Sequence, residues 1–468
     1  MTGFMASHVD DEMLFCETHY ARYGNERTNI YGLAPFESRF LTYLNRPDEF
    51  PSHRYESLPS EPSPPKHQGL GRKVRHFMTA SAAELTAFVS MDGYWNYVCI
   101  PVGLEAGKSE VIAMDVFEEH SDKSRFVVAL AVAEKYDTEN QETQVSYSLR
   151  FYGHQHAPKS FLEQTLFGLG ESSQIIPLTY PPMQLSHVQI NYEGRQQTAF
   201  LMASTDGIMH LYVQDSSRLF VPISAGTYFP LLGRISDHRI KILFLHILTY
   251  QGKIAICAGG QNGELFLSFY DNEGVECKSH AIRLFSPITS VLLFHPRVSK
   301  HLKEDEPLHL VVTCAIEQAM VYKSVQINGL SRSRVLPQSS LYDSVLCSHV
   351  MDVDWDGEQE ILIGTYGRQV LIYKQLEGTE DYTVLWRRQF AYPIYRMSHL
   401  DLNIDGLDEL IVITMYGVHI FQPNMKKARK RLLDVLMYVE SSKRQKYELL
   451  LDWQRQKELE KAIVFEPQ

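Results

Sequence analysis

What the chain lacks narrows its identity first. It has no long apolar run. The most hydrophobic stretch, Ile242 to Tyr250, contains His246 and falls far short of the roughly 20 residues that span a bilayer. Any membrane association is therefore expected through partners or a surface patch. The six cysteines (16, 99, 257, 277, 314 and 347) form no CxxC pair, and no Asn-x-Ser/Thr acceptor occurs. Both absences read as reduced, buried thiols in an intracellular, cytoplasmic protein. The N-terminus carries Asp10, Asp11 and Glu12 with no apolar core behind them, so no signal peptide is expected. Basic excess is absent too. A net charge of −11 excludes the broad phosphate contact that nucleic-acid binding needs.

The common catalytic signatures are also missing. No HExxH, GxSxG or GxGxxG occurs, and Gly103-Leu104-Glu105-Ala106-Gly107-Lys108-Ser109 is one residue short of a phosphate loop. It reads as a polar turn, and no enzyme is expected.

What is present is a repeat. Hydrophobic residues make up 44% of the chain and Tyr, with 26 copies, leads the aromatics, which favours strands. Five segments share one form, an apolar strand, a short turn and a second strand ending in an aromatic. They are 198–212, 253–269, 309–322, 360–373 and 409–421, ending in Tyr212, Phe269, Tyr322, Tyr373 and Phe421 at intervals of 57, 53, 51 and 48. Gly207, Gly263, Gly367 and Gly417 keep one phase in the turns, and the middle copy has Glu317-Gln318 instead. Asp206-Gly207 and Asn262-Gly263 read as hairpin turns whose two central residues both need positive φ.

A pitch near 50 residues leaves room for two weaker strands around each pair, and four antiparallel strands make a β-propeller blade. Hairpins argue against a solenoid. Residues 28–184 have the length for about two more blades: Trp95 to Val102, Val111 to Phe117, and a hairpin from Arg125 to Ala133 and Gln144 to Tyr152. The expected fold is therefore all-β, a seven-bladed propeller, with six or eight blades within the same pitch. Residues 1–24 read as an N-terminal tail and 25–423 as the propeller. Thr28 to Ala34 reads as a strand entering a turn, 46–72 as a Pro-rich insertion, and 154–181 as a looser stretch. Residues 424–468 read as a helical segment capped by Asn424, since 425–463 hold neither Pro nor Gly. Leu432, Leu436 and Val439 share one face that Tyr447, Leu450 and Trp453 could continue, packing on the propeller or on another protein. The run Lys426-Lys427-Ala428-Arg429-Lys430-Arg431 fits an anionic membrane, a nuclear import signal or plain solvation.

Two acidic loops stand out. Asp352, Asp354, Asp356 and Glu360 sit at positions 1, 3, 5 and 9 of one, and Asp401, Asn403, Asp405 and Glu409 at the same positions of the other, each with Gly at 6. Such spacing can converge oxygens on Ca²⁺, with the carbonyls of Glu358 and Leu407 adding to the set. It can equally cap turns by accepting backbone N–H groups. An EF-hand is excluded, because position 12 is Ile363 or Val412 and strands follow. Neither loop has a His or Lys spaced as a base, so any ion would be structural and no cofactor is required.

Each loop followed by its strand resembles the FG-GAP repeat of integrin-α-like propellers. The stretch Tyr342 to Ser348 with DVDWDGEQEILIGTYGRQVLIYK, the N-terminal TNIYGLA, Ile100-Pro101-Val102 and GVHI at 417–420 together resemble the kaptin family, in order across most of 28–421. The second loop of that family tolerates a non-ligand where this chain has Asn403. The resemblance implies a non-enzymatic scaffold in the KICSTOR complex, paired with a second FG-GAP propeller protein and a large scaffold subunit. That complex sits at the lysosomal surface, recruits the GATOR complex and restrains mTOR complex 1 when nutrients are scarce. The family is also described as actin-associated, which leaves an actin-filament-binding protein as the alternative.

Overall fold

The central hairpins build the molecule. Strands such as Glu360–Thr365 and Glu409–Thr414 are buried along their whole length. That is why they read as unbroken apolar runs and not as alternating ones. The computed structural model describes residues 14–24, 26–38, 74–91, 94–119, 125–137, 143–153, 162–271, 273–298 and 306–464. Their strands form seven four-stranded antiparallel sheets, the blades of a propeller. Blades 1 to 6 span 33–100, 109–178, 182–224, 242–283, 288–335 and 345–389 in chain order.

Blade 7 is composite. Three strands come from 394–423, and the fourth is Phe15–Arg22, paired from Phe15↔Pro423 to Arg22↔Gly417. Residues 1–24 are therefore not simply a tail: their second half closes the ring. The strand was hidden because it is an edge, with only its first residue buried and the rest mostly exposed. Aromatic and aliphatic layers then join neighbouring blades. Between blades 7 and 1, Phe77 stacks on Phe88 at 4.5 Å over Leu400, Ile411, Ile413 and Val418. Each such ring buried from water contributes about 2–3 kcal/mol.

Other expectations shift. Thr28 to Ala34 is a turn leading into the strand Leu33–Ser38, the reverse of the expected order. The looser stretch supplies the outermost strand of blade 2, Ser173–Leu178. Positive φ falls on Gly207 (+75°) and Gly263 (+85°) but not on Asp206 or Asn262. Asp206 instead accepts the Ile208 N–H at 2.8 Å, which relieves it of the mirror-image turn. Only Cys257, Cys314 and Cys347 are buried; Cys16, Cys99 and Cys277 are exposed. The Pro-rich stretch 46–72 lies outside the described residues.

In six blades the innermost strand carries a β-bulge near its start, at Val111/Ala113, Pro182/Leu185, Ile242/Phe244, Ile288/Ser290, Val345/Cys347 and Ile394/Arg396. A bulge re-aims the side chain that follows it. The repetition sets one level of residues around the central axis.

The chain leaves the propeller as a helix, Met425–Val464. Asn424 caps it, accepting the Lys426 N–H at 3.1 Å and the Lys427 N–H at 3.4 Å. The helix is about 60 Å long at 1.5 Å per residue. Near its base Arg431 donates to the Trp355 carbonyl at 3.3 Å. Beyond that its apolar side chains face solvent: Leu432 is 60% exposed, Leu450 59% and Trp453 54%. No described helix is long and apolar enough to cross a membrane.

Candidate functional site: two acidic loops

Both loops link the first and second strands of a blade, in blades 6 and 7. Their backbones fold alike. Asp352 accepts N–H groups from Asp356 (3.2 Å) and Gly357 (2.9 Å), and Asp401 accepts from Asp405 and Gly406 (both 3.0 Å). Asp356 caps Glu358 at 2.8 Å, and Asp405 caps Leu407 at 2.9 Å. Glu360 and Glu409, each 2% exposed, reach back to the N–H of Val353 (2.9 Å) and Leu402 (2.7 Å). The turns need left-handed backbone at Trp355 (+58°) with Gly357 (+89°), and at Ile404 (+60°) with Gly406 (+93°).

The loops part company over their remaining oxygens. In blade 6, Asp352, Asp354 and Asp356 bring an oxygen each within 4.8 Å of one another. The cation among them is Lys374. Its Nζ contacts Asp354 closely, lies 2.6 Å from Asp356 and 3.3 Å from Glu360. Burial opposes its charge, but Asp354 and Asp356 hold the lysine above its usual pKa, so it stays protonated. Burial also raises Asp356, but its bonds to Lys374 and the Glu358 N–H outweigh that and leave it below the usual carboxylate range. The sequence shows no lysine spaced as a base; the strand register brings Lys374 to these carboxylates from another strand. The charged ammonium is an ion-pair partner, not a base.

In blade 7 the register puts Gln422 at the corresponding place. Lys374 follows Tyr373, which pairs with Ile361; Gln422 follows Phe421, which pairs with Leu410. Among the described residues no ammonium enters the loop. Asn403 spends its amide within it, accepting the Asp405 N–H at 2.9 Å and donating to Asp405 at 3.1 Å. Glu409 is left with Oε1 buried and without a hydrogen bond. Burial, with Asp405 and Asp401 close by, pushes this carboxyl up to about 7. A buried, unpartnered carboxylate oxygen beside two aspartates fits a hard divalent cation. The first loop has the same raised glutamate, Glu360 at about 7, and a buried Asp354 Oδ1 without a hydrogen bond, but there Lys374 already stands among the carboxylates.

Sequence reasoning missed Lys374. The signal was available, since Tyr373-Lys374 and Phe421-Gln422 close equivalent hairpins, but its meaning depends on strand register. Gly103 to Ser109 is a polar turn in which Lys108 pairs with Glu105 at 2.7 Å on the surface.

Comparison with known proteins gives the family. The family profile described as KICSTOR complex protein kaptin matches residues 99–433, from the end of blade 1 into the first turns of the C-terminal helix. The mouse KICSTOR complex protein kaptin is 31% identical over 389 residues, covering 81% of this chain and 84% of that protein. Among solved structures, the Dos1 propeller overlaps 87% of this chain and 95% of its own at 8% identity and a TM-score of 0.44. The fold rests on the seven sheets themselves. With most of its blades inside one family profile and a curated relative matched along most of its length, the chain belongs to the kaptin family of KICSTOR complex proteins.

Proposed function

We propose that the chain is a non-enzymatic scaffold subunit of a KICSTOR-type assembly at the lysosomal surface. It pairs there with a second FG-GAP propeller protein and a large scaffold subunit. The assembly recruits the GATOR complex and so lowers mTOR complex 1 signalling when amino acids or glucose are scarce. Family membership supports the assembly. The observation that carries a scaffold role is the C-terminal helix, which leaves Leu432, Leu436, Val439, Tyr447, Leu450 and Trp453 uncovered. An isolated helix gains little stability in water, and its stability ordinarily comes from packing an apolar face. The helix also holds eleven Lys and Arg against six Asp and Glu in an otherwise acidic chain, so a partner with acidic flanks suits it.

Co-purification from cells tests this reading. The full chain should recover the second propeller protein and the large scaffold, and a chain ending at Asn424 should recover them far less. Failure of the full chain to recover either overturns it. Pelleting of the purified chain with actin filaments, without those subunits, would favour a cytoskeletal role.

The acidic loops belong to the same proposal as braces. We infer that the loop of Asp401, Asn403, Asp405 and Glu409 takes Ca²⁺ as a structural ion, while Lys374 stands in for the ion at Asp352, Asp354, Asp356 and Glu360.

A further inference from the structure

The central axis is crossed by charge at the level of the bulges. Arg396 follows the bulge in the innermost strand of blade 7, Ile394–Leu400, and Phe244 follows it in that of blade 4, Ile242–Tyr250. These blades are not neighbours. The Arg396 guanidinium nevertheless lies 4.8 Å from the centre of the Phe244 ring, so it spans the channel. Tyr31, from the turn before blade 1, stacks on the same ring at 6.3 Å and donates its hydroxyl to the Leu243 carbonyl. One face of the guanidinium is therefore covered by an aromatic.

Its N–H groups are not so provided for. Among the described residues Arg396 makes no hydrogen bond and no ion pair. The acidic group that acts on it through space, Asp115, is bound to His187 at 2.8 Å. The other neighbours are donors or neutral. His246 accepts the Leu293 N–H through Nδ1 at 3.1 Å, which leaves Nε2–H as a donor. His349 is bonded to His399 at 2.7 Å. Burial holds both His246 and His349 below the usual imidazole pKa, with Arg396 adding to the effect. The guanidinium is only partly buried, so its N–H groups stay open to the channel while no protein group pairs with them. Here the protein brings an aromatic face and imidazole N–H groups, and the carboxylate of Asp115 acts only through space.

We propose that the propeller channel is an anion site, in which Arg396 over Phe244, with His246 beside it, binds the carboxylate or phosphate group of a small molecule. A planar guanidinium presents paired N–H groups that match either oxyanion. Entry is from the mouth that also carries the acidic loops. A cavity of about 490 Å³ opens there, lined by Arg75, His187, His349, Ser398 and His399 with Glu37 and Glu118, though not by Arg396 itself. Ser398 is the next residue along its strand on the side of Arg396. The proposal is independent of the assembly role and of the cation in the second loop.

Calorimetry and thermal melts of the full chain test it, with inorganic phosphate and acetate titrated separately against sodium chloride of equal ionic strength. One saturable site for either anion, raising the melting temperature, is expected. Response to phosphate or to acetate alone identifies which group the site takes. Arg396→Gln should weaken binding at least about tenfold, and its anion-free melting temperature should not fall, because the unpaired charge is gone. Arg75→Gln, at the cavity mouth, should leave binding unchanged. Should Arg396→Gln fail to fold, Arg396→Lys keeps the charge without the fork and should still bind several-fold more weakly. A parent chain that responds to neither anion beyond chloride overturns the proposal. So does binding that survives Arg396→Gln, or that is lost in Arg75→Gln instead.

Discussion

The loops of blades 6 and 7 have nearly the same backbone and different ions to satisfy. In both, the first aspartate takes two N–H groups, the third acidic position takes one, and a buried glutamate reaches back to close the turn. Those bonds are enough to shape the loop, so its shape alone does not report a metal. What differs is a residue one strand away. Lys374 pairs with Asp354, Asp356 and Glu360 of blade 6, leaving one Asp354 oxygen bare, whereas Gln422 brings no cation to blade 7, where Glu409 keeps a bare oxygen. On the proposed reading, a repeat motif keeps its turn while its cation moves from solution onto a side chain. Strand register, not the nonapeptide, decides whether a loop receives a lysine.

The sharpest way to break this contrast is to remove the lysine. Lys374→Ala strips the ammonium from Asp354, Asp356 and the buried Glu360 and should cost about 3 kcal/mol. Urea unfolding should show the loss without calcium and recover much of it with calcium. No loss, or a loss indifferent to calcium, would mean the ammonium is not standing in for an ion. The converse change is Gln422→Lys. It should supply blade 7 with its own cation and weaken calcium binding about 100-fold, read by calorimetry.

Acid separates the loops from the frame that holds them. His76 accepts the Ser90 N–H through Nδ1 at 3.0 Å, bonds Ser38 at 2.7 Å, and is held by burial down to about 3. The folded value lies below the ordinary 6.5, so the neutral ring stabilises the fold above pH 6.5 and that contribution is lost as pH falls toward 3. Between pH 7 and 5 the loss should reach about 2 kcal/mol from this residue. It should persist in Lys374→Ala and flatten in His76→Asn, followed by denaturant midpoints across pH. The smallest effect belongs to the helix. A chain ending at Asn424 should match the full chain in stability within about 0.5 kcal/mol, because the helix leans on the propeller mainly through Arg431.

Much of the fold was legible for a definite reason. The second and third strands of blades 3 to 7 are buried on both faces, and their apolar runs and phased glycines survive as a pattern. The outer strands are half exposed and polar; Glu276–Arg283 alternates between partly and fully exposed residues and looks like loop. The closing strand Phe15–Arg22 was the least legible, since its partner lies about 400 residues away and its side chains face water. In the site, the aspartates and glutamates were visible by spacing, and three of the first set converge. Lys374 and Arg396 were not, because one depends on strand register and the other on which blades face each other across the axis.

The central claim is that one acidic loop needs an ion and the other carries its own. A calcium titration of the full chain by calorimetry tests it most directly. One ion per chain is expected, abolished by Asp401→Ala and retained in Asp352→Ala. A flat titration, two ions per chain, or binding lost in Asp352→Ala and kept in Asp401→Ala would contradict it.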